Sequence, residues 1–285
     1  MASELTKRVA VAAVGVPLAI VILYIGGWVI ALALAVLAAA GAAEFYRLAR
    51  ERGVRPFVVA GIVLAALPVL LTMVTPDAEM WAWRAFVAAA IVIAAAAIFR
   101  RGVAGAPLAV MAVTVFAAMF TGGTLLYAML LRLMPVPGAS AEWQGWVGPA
   151  LLAFPMTLTW MGDTFAYFGG RALGRRKLIP AVSPAKTVEG ALTGVIGTTI
   201  VGALYAHFIF GAWLGVPVGA GTGALIGLIV SPVAQIGDLA ESLLKREAGV
   251  KDSGTLLPGH GGVLDRFDAL FFSIPVTYWL LMMVL

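Results

Sequence analysis

Between Glu241 and Asp268 the chain gathers five of its 14 acidic residues and four of its 19 lysines and arginines, together with several glycines and one of its two histidines. A chain in which only 12% of residues are charged has little reason to cluster them unless something charged binds there. Just upstream, Asp238, Glu241, Ser242 and Lys245 recur at i, i+3, i+4 and i+7, one stripe of a helix. Arg246 follows, then Lys251-Asp252-Ser253-Gly254, the run Pro258-Gly259-His260-Gly261-Gly262, and Asp265-Arg266-Phe267-Asp268. Asp265 and Asp268, three apart, share one face if the last helix begins there. With no cysteine and only two histidines, the ligands on offer are carboxylates, which favour hard cations, and Mg²⁺ suits phosphate substrates best. Lysines and arginines beside a glycine-rich loop offer phosphate contacts from side chains and from closely approaching backbone N–H groups. Together these types describe phosphoryl or nucleotidyl transfer, where catalysis is mostly positioning and charge neutralisation.

Two further polar clusters precede this one. Asp163 sits inside the apolar run from Thr157 to Tyr167. A carboxylate in a membrane helix costs about 2.5–3.5 kcal/mol at the centre, so it is either satisfied by Thr or Tyr hydroxyls or forms the polar wall of a substrate cavity. The loop from Arg171 to Gly190 holds Ser183-Pro184, which reads as a turn, and Lys186 and Glu189 at i, i+3 at the start of a helix. A helix N-terminus with free N–H groups is able to hold a phosphate. Arg175, Arg176 and Lys177 are better explained as a solvated basic loop that fixes topology.

The elements that must position these groups are membrane helices. The chain has 285 residues, 62% of them hydrophobic, and a mean hydropathy of +1.02. No soluble domain buries that much apolar surface, so the bilayer is its solvent. Apolar character runs from Val9 to Ala43, beyond the 7–15 residues of a signal h-region, so the start reads as retained helices. With a turn at Gly26-Gly27, spans are predicted near 9–25, 28–48, 56–75, 83–99, 105–132, 147–168, 188–210, 217–244 and 267–284. The expected fold is an all-α polytopic integral membrane protein of about nine helices with a cytoplasmic N-terminus. It divides into N-terminal membrane helices (1–104), a middle helix and outer loop (105–146), and a C-terminal region (147–285) carrying the 238–268 stretch. With that topology 17 of the 19 basic residues are cytoplasmic, Arg84 and Arg132 being the exceptions. The net charge of +5 is then a topology signal, and nucleic acid is not needed as a partner. His207 reads as structural or interfacial. The first 150 residues show no motif that carries chemistry, and serve as a lipid-facing scaffold or as part of a lipid entry route.

The segments Ser242-Leu243-Leu244-Lys245-Arg246, Lys251 to Gly254, Leu257 to Gly262 and Leu264 to Asp268 resemble the signature of phosphatidate cytidylyltransferases, the CDP-diacylglycerol synthases. Asp163 to Tyr167 and Ser183 to Gly190 resemble that family too, so the likeness covers roughly 157–275. It implies CTP plus phosphatidate giving CDP-diacylglycerol and pyrophosphate, in phospholipid biosynthesis at the cytoplasmic face of a plasma or inner membrane. It also implies a divalent cation such as Mg²⁺, with a monovalent cation such as K⁺ as a further option, and a homodimer. By position, Asp238 and Asp265 are the metal-binding acids, and Lys245, Arg246, Lys251 and His260 contact phosphates or neutralise leaving pyrophosphate. Ser183, Lys186 and Glu189 close the site, with Asp163 in the cavity wall. Substrate contacts extend to Glu241, Ser242, Asp252, Gly259, Gly261, Gly262, Arg266 and Asp268. Phosphatidate is substantially ionised near neutral pH, so His260 serves as a phosphate ligand or proton relay rather than an obligatory base. Two other readings use the same residues: a transporter of an anionic phosphorylated solute, and a CTP-dependent transferase or kinase acting on another membrane lipid.

Overall fold

The computed structural model describes residues 15, 17–254 and 261–285. Residues 17–25 are helical and precede α1, Gly27–Glu51. There follow α2 (Val58–Leu71), α3 (Ala78–Arg100) and α4 (Pro107–Leu133), which contains one π-helical turn at Met119–Gly123. Next come α5 (Gln144–Leu173), strands β1 (Lys177–Ile179) and β2 (Ser183–Thr187), and α6 (Val188–Trp213). Helices α7 (Ala220–Ala248), α8 (Leu264–Phe267) and α9 (Leu270–Met282) end the chain. Every predicted span from 28–48 onward has a helix over it, while the first, near 9–25, lies largely outside the described residues. The 25 residues of α1 make about 37 Å of helix, enough to cross roughly 30 Å of hydrocarbon. Among the described residues α1, α3, α4, α6 and α7 are long and apolar enough to do so. Many large apolar side chains are left open, such as Phe99 at 87% and Leu108 at 82% exposed, as lipid solvation allows.

The all-α expectation holds, with one short hairpin that matters for the site. The segment after α5 is an antiparallel hairpin in which Lys177 pairs with Thr187 and Ile179 with Ser183. Ser183-Pro184 therefore opens a strand rather than a turn.

The chain forms two compact units, Met1–Met129 with Leu244–Phe267 and Leu130–Leu243 with Asp268–Leu285. In the first, Tyr46 of α1 is 1% exposed and its hydroxyl donates to the Thr114 carbonyl of α4 at 2.8 Å. Its ring fills the space a side chain would need at Gly61 of α2. A buried tyrosine hydroxyl has to find an acceptor, and this one fixes the turn of α1 that also carries Glu44 and Arg47. In the second unit small residues let helices close without the hydrophobic effect that water would supply. Gly190 of α6 packs on the backbone of α5 at Ala166 and Gly170. Gly202 and Gly227 occupy contacts between α6 and α7 in which a Cβ would meet backbone atoms. Thr159 of α5 donates to Ser273 Oγ of α9 at 3.0 Å.

Gly227→Val forces a side chain against the Thr198 carbonyl, an obstacle that cannot rotate away. It is expected to destabilise the detergent-solubilised protein by about 1–3 kcal/mol or more. Gly221→Ala, into open space, is expected to leave the thermal midpoint unchanged; equal midpoints for the two variants would contradict this packing.

Candidate active site

In the second unit, a side chain from each of three elements meets at one cavity of about 240 Å³. Asp163 comes from α5, Lys186 from β2 and Asp238 from α7, with Tyr167, Thr187 and Gln235 also lining it. Lys186 Nζ lies 2.5 Å from Asp238 Oδ2, the two side chains being 27% and 31% exposed. Asp163 feels the negative charge of Asp238 and the positive charge of Lys186. Gln235, one turn before Asp238, is held by its Nε2 donating to the Ala191 carbonyl at 3.2 Å. Ser242, one turn after, donates to Asp238 Oδ1 at 3.5 Å. A lysine between two carboxylates leaves a site that can exchange the ammonium for a metal and still contact an incoming phosphate.

The hairpin explains how Lys186 arrives there. The helix begins only at Val188, with Thr187 as its cap, Thr187 Oγ1 accepting from the Gly190 N–H at 3.1 Å. Lys186 thus projects from a strand and not from the helix start on which its i, i+3 spacing with Glu189 would put it. Glu189 turns to the loop behind it, accepting from the Arg175 and Arg176 N–H groups at 2.9 and 3.1 Å and lying 3.6 Å from Arg176 Nε. It staples the hairpin's entry, and Arg176 belongs to that staple. Ser183 sits opposite Ile179 at the far end of the hairpin, outside the cavity lining.

In the first unit, a second centre forms around Asp265. Lys245 Nζ donates to Asp265 Oδ1 at 2.7 Å, with the side chains 15% and 8% exposed. Asp265 Oδ2 accepts from the Ser253 N–H at 2.9 Å, the Ser253 hydroxyl at 2.9 Å and the Gly262 N–H at 2.8 Å. Burial alone would raise this carboxyl, but the hydrogen bonds from Lys245, Gly262 and Ser253 outweigh it and hold it down at about 2. Gly261 lies against Asp265 Oδ2. Lys251, Asp252, Arg246 and Arg266 are exposed. Gly259 and His260 lie outside the described residues.

Two residues of this centre carry no signal in the local sequence. Glu44 of α1, 5% exposed, accepts from the Val263 and Leu264 N–H groups at 3.0 and 2.9 Å and lies 3.0 Å from the Ser253 hydroxyl. Arg47, one turn on, donates to the Ser253 and Asp252 carbonyls. The available hint was an acid closing an otherwise acid-free apolar run. In the second unit, Glu241 is buried on α7, 1% exposed, and Asp268 Oδ1 accepts its neighbour Ala269 N–H at 2.6 Å where α9 begins.

Among the described residues no three Asp, Glu or His side chains are grouped closely enough to hold a metal by themselves. The donor chemistry still fits Mg²⁺. That ion binds through one or two carboxylates and completes its shell with water and substrate phosphate, and Asp163 and Asp238 open on the same cavity.

An all-α polytopic membrane protein whose polar centres are built from carboxylates, lysines and glycines is the class this fold and these centres define. The chain matches the Cytidylyltransferase family over residues 6–284. It is 35% identical to the phosphatidate cytidylyltransferase of Synechocystis sp. over 98% of this chain and 97% of that one. It is 32% identical to the chloroplastic phosphatidate cytidylyltransferase 4 of Arabidopsis thaliana, over 97% of this chain and 73% of that one. To the phosphatidate cytidylyltransferase of Haemophilus influenzae it is 44% identical over 45% of this chain and 44% of that one. The chain belongs to the cytidylyltransferase family and is a nucleotidyltransferase.

With its carboxyl held near 2, below the ordinary 3.8, Asp265 contributes stability that is fully present above about pH 4 and lost as pH falls through 2. Asp265→Asn, which breaks a nearly buried ion pair, is expected to cost about 3 kcal/mol. That deficit, measured by unfolding in detergent, should stay constant from about pH 5 to 8 and shrink in stronger acid. A deficit that titrates between pH 5 and 8 would contradict the assignment.

Proposed function

We propose that the chain is a phosphatidate cytidylyltransferase, transferring cytidylate from CTP to phosphatidate to give CDP-diacylglycerol and pyrophosphate. The observation that carries this reading is the convergence of Asp163, Lys186 and Asp238 on one cavity framed by apolar helices. Such a cavity can receive a polyanion while its walls stay in lipid. In the reaction a phosphatidate phosphate oxygen attacks the α-phosphorus of CTP, and the bond from that phosphorus to the bridging oxygen of the β-phosphate breaks. Pyrophosphate leaves with the electron pair, and no proton need move.

Asp238 would hold Mg²⁺, with Asp163 on the same cavity. Asp265 is the second acid assigned by the family resemblance; its Oδ2 already accepts three donors, so a cation reaching it would have to exchange for Lys245 at Oδ1. When bound, the cation offsets the repulsion between two phosphate anions. Lys186, now paired with Asp238, would turn to the phosphates once a cation takes its place on that carboxylate. Lys245, Arg246, Lys251 and His260 are the groups assigned to the leaving pyrophosphate, and Ser242 orients Asp238. K⁺ is the monovalent cation to test as a second ion. The site faces the cytoplasm of a plasma or inner membrane, where CTP is soluble, and the protein acts as a homodimer.

Purified protein in phosphatidate-containing nanodiscs is expected to form CDP-diacylglycerol and pyrophosphate in equal amounts, to stop in chelator and to recover with Mg²⁺. Asp238→Asn should lower turnover by at least about 100-fold, close to 2.7 kcal/mol of barrier, with the protein still monodisperse. Retention of more than about a tenth of the activity, or turnover indifferent to chelator, would overturn this site.

A further inference from the structure

We propose that Glu44 is a positioning residue for the reaction, setting Asp265 through Ser253 and the backbone around the 255–260 segment; this rests on the cytidylyl-transfer reading above. Glu44 reaches its place from α1, 209 residues before Ser253. Tyr46 locks that turn of α1 to α4.

Both carboxylate oxygens of Glu44 are committed to backbone on the far side of the 255–260 segment. Oε1 accepts from Val263 N–H at 3.0 Å, and Oε2 from Leu264 N–H at 2.9 Å, at the start of α8. Oε2 also meets the Ser253 hydroxyl, on the near side, at 3.0 Å. One carboxylate therefore ties the two ends of the segment together. Arg47 adds a second tie on the near side, through the Ser253 and Asp252 carbonyls.

The glycines agree. A Cβ at Gly254 would strike Glu44 Oε1, and one at Gly262 would strike both Glu44 oxygens and Ser253 Oγ. Two glycines that look suited to phosphate approach are thus required, in this structure, by the buried carboxylate.

The link to the chemistry runs through Ser253. Its hydroxyl is 2.9 Å from Asp265 Oδ2 while also touching Glu44, and its N–H donates to that same Oδ2. Gly262, pressed against Glu44, supplies the third donor to Oδ2. Displacing Glu44 therefore removes the groups that aim Asp265 and, with it, Lys245.

Glutamine is no substitute here. Each carboxylate oxygen accepts a backbone N–H, so either orientation of the amide turns an NH₂ against a donor. Glu44→Gln is expected to lower kcat at least about 30-fold while leaving KM for CTP within about threefold. Backbone amides of 261–266 should exchange faster with solvent and those of α2 should not change. Ser253→Ala, which removes only the bridging hydroxyl, should lower kcat about tenfold, and adding it to Glu44→Gln should cost less than about threefold more. A Glu44→Gln enzyme within about threefold of wild-type kcat, or losses that multiply in the double variant, would overturn the proposal. If Glu44→Gln does not fold, Ser253→Ala decides alone, and a kcat within about threefold of wild type overturns it. If wild-type protein makes no CDP-diacylglycerol, the reaction assigned above fails, whereas unchanged amide exchange in Glu44→Gln is the separate result that refutes the positioning role.

Discussion

A carboxylate taken out of water must find a donor for every lone pair it exposes, because an unmet charge in a low-dielectric interior costs several kcal/mol. That requirement shapes both polar centres. Glu44 is met by two backbone N–H groups and lies against a serine hydroxyl. Asp265 is met by a lysine, two backbone N–H groups and the same serine. Neither arrangement survives without glycines beside it, since the backbone has to come within hydrogen-bonding distance on more than one side. Asp238 is the contrasting case. It keeps about a third of its side-chain surface open, and its main partner is a lysine on a hairpin. A carboxylate with a displaceable partner is suited to ligand exchange, and one with saturated oxygens is suited to holding a backbone in place.

Those two kinds of acid give the second unit's cavity and the Asp265 centre different characters. The cavity has mostly apolar walls, a few convergent charges and a volume of about 240 Å³. The Asp265 centre is a closed network of short hydrogen bonds in which Lys245 is the charged group nearest to exchange.

Much of this was legible in the sequence, and the reasons differ by residue. Helix positions from 28–48 onward followed from hydropathy, because the bilayer enforces internal hydrogen bonding and a minimum length. The stripe Asp238, Glu241, Ser242 and Lys245 was legible because helical period is local, and so was the signature that marks the family. Glu189 stands in the first turn of α6 as its position suggested, but Lys186 was misplaced, because the spacing fits a helix start as well as a strand followed by a cap. Only Thr187, a residue with strong capping preference, marks the boundary between the two. Glu44 and Arg47 were invisible for a different reason. Their partners lie more than 200 residues away, and an acid beside arginines at the end of an apolar run looks like an ordinary membrane boundary. The glycines at 254 and 262 were legible as close approach, but what approaches them was not.

The claim on which all of this turns is that the chain moves a nucleotidyl group from CTP onto a membrane phosphate lipid. The direct test follows phosphorus. Purified protein in phosphatidate nanodiscs is given CTP labelled either at the α- or at the γ-phosphorus, and the lipid is extracted. The account predicts α-label in the lipid as CDP-diacylglycerol and all γ-label in pyrophosphate. Gamma-label in the lipid, or CTP left intact, would contradict it.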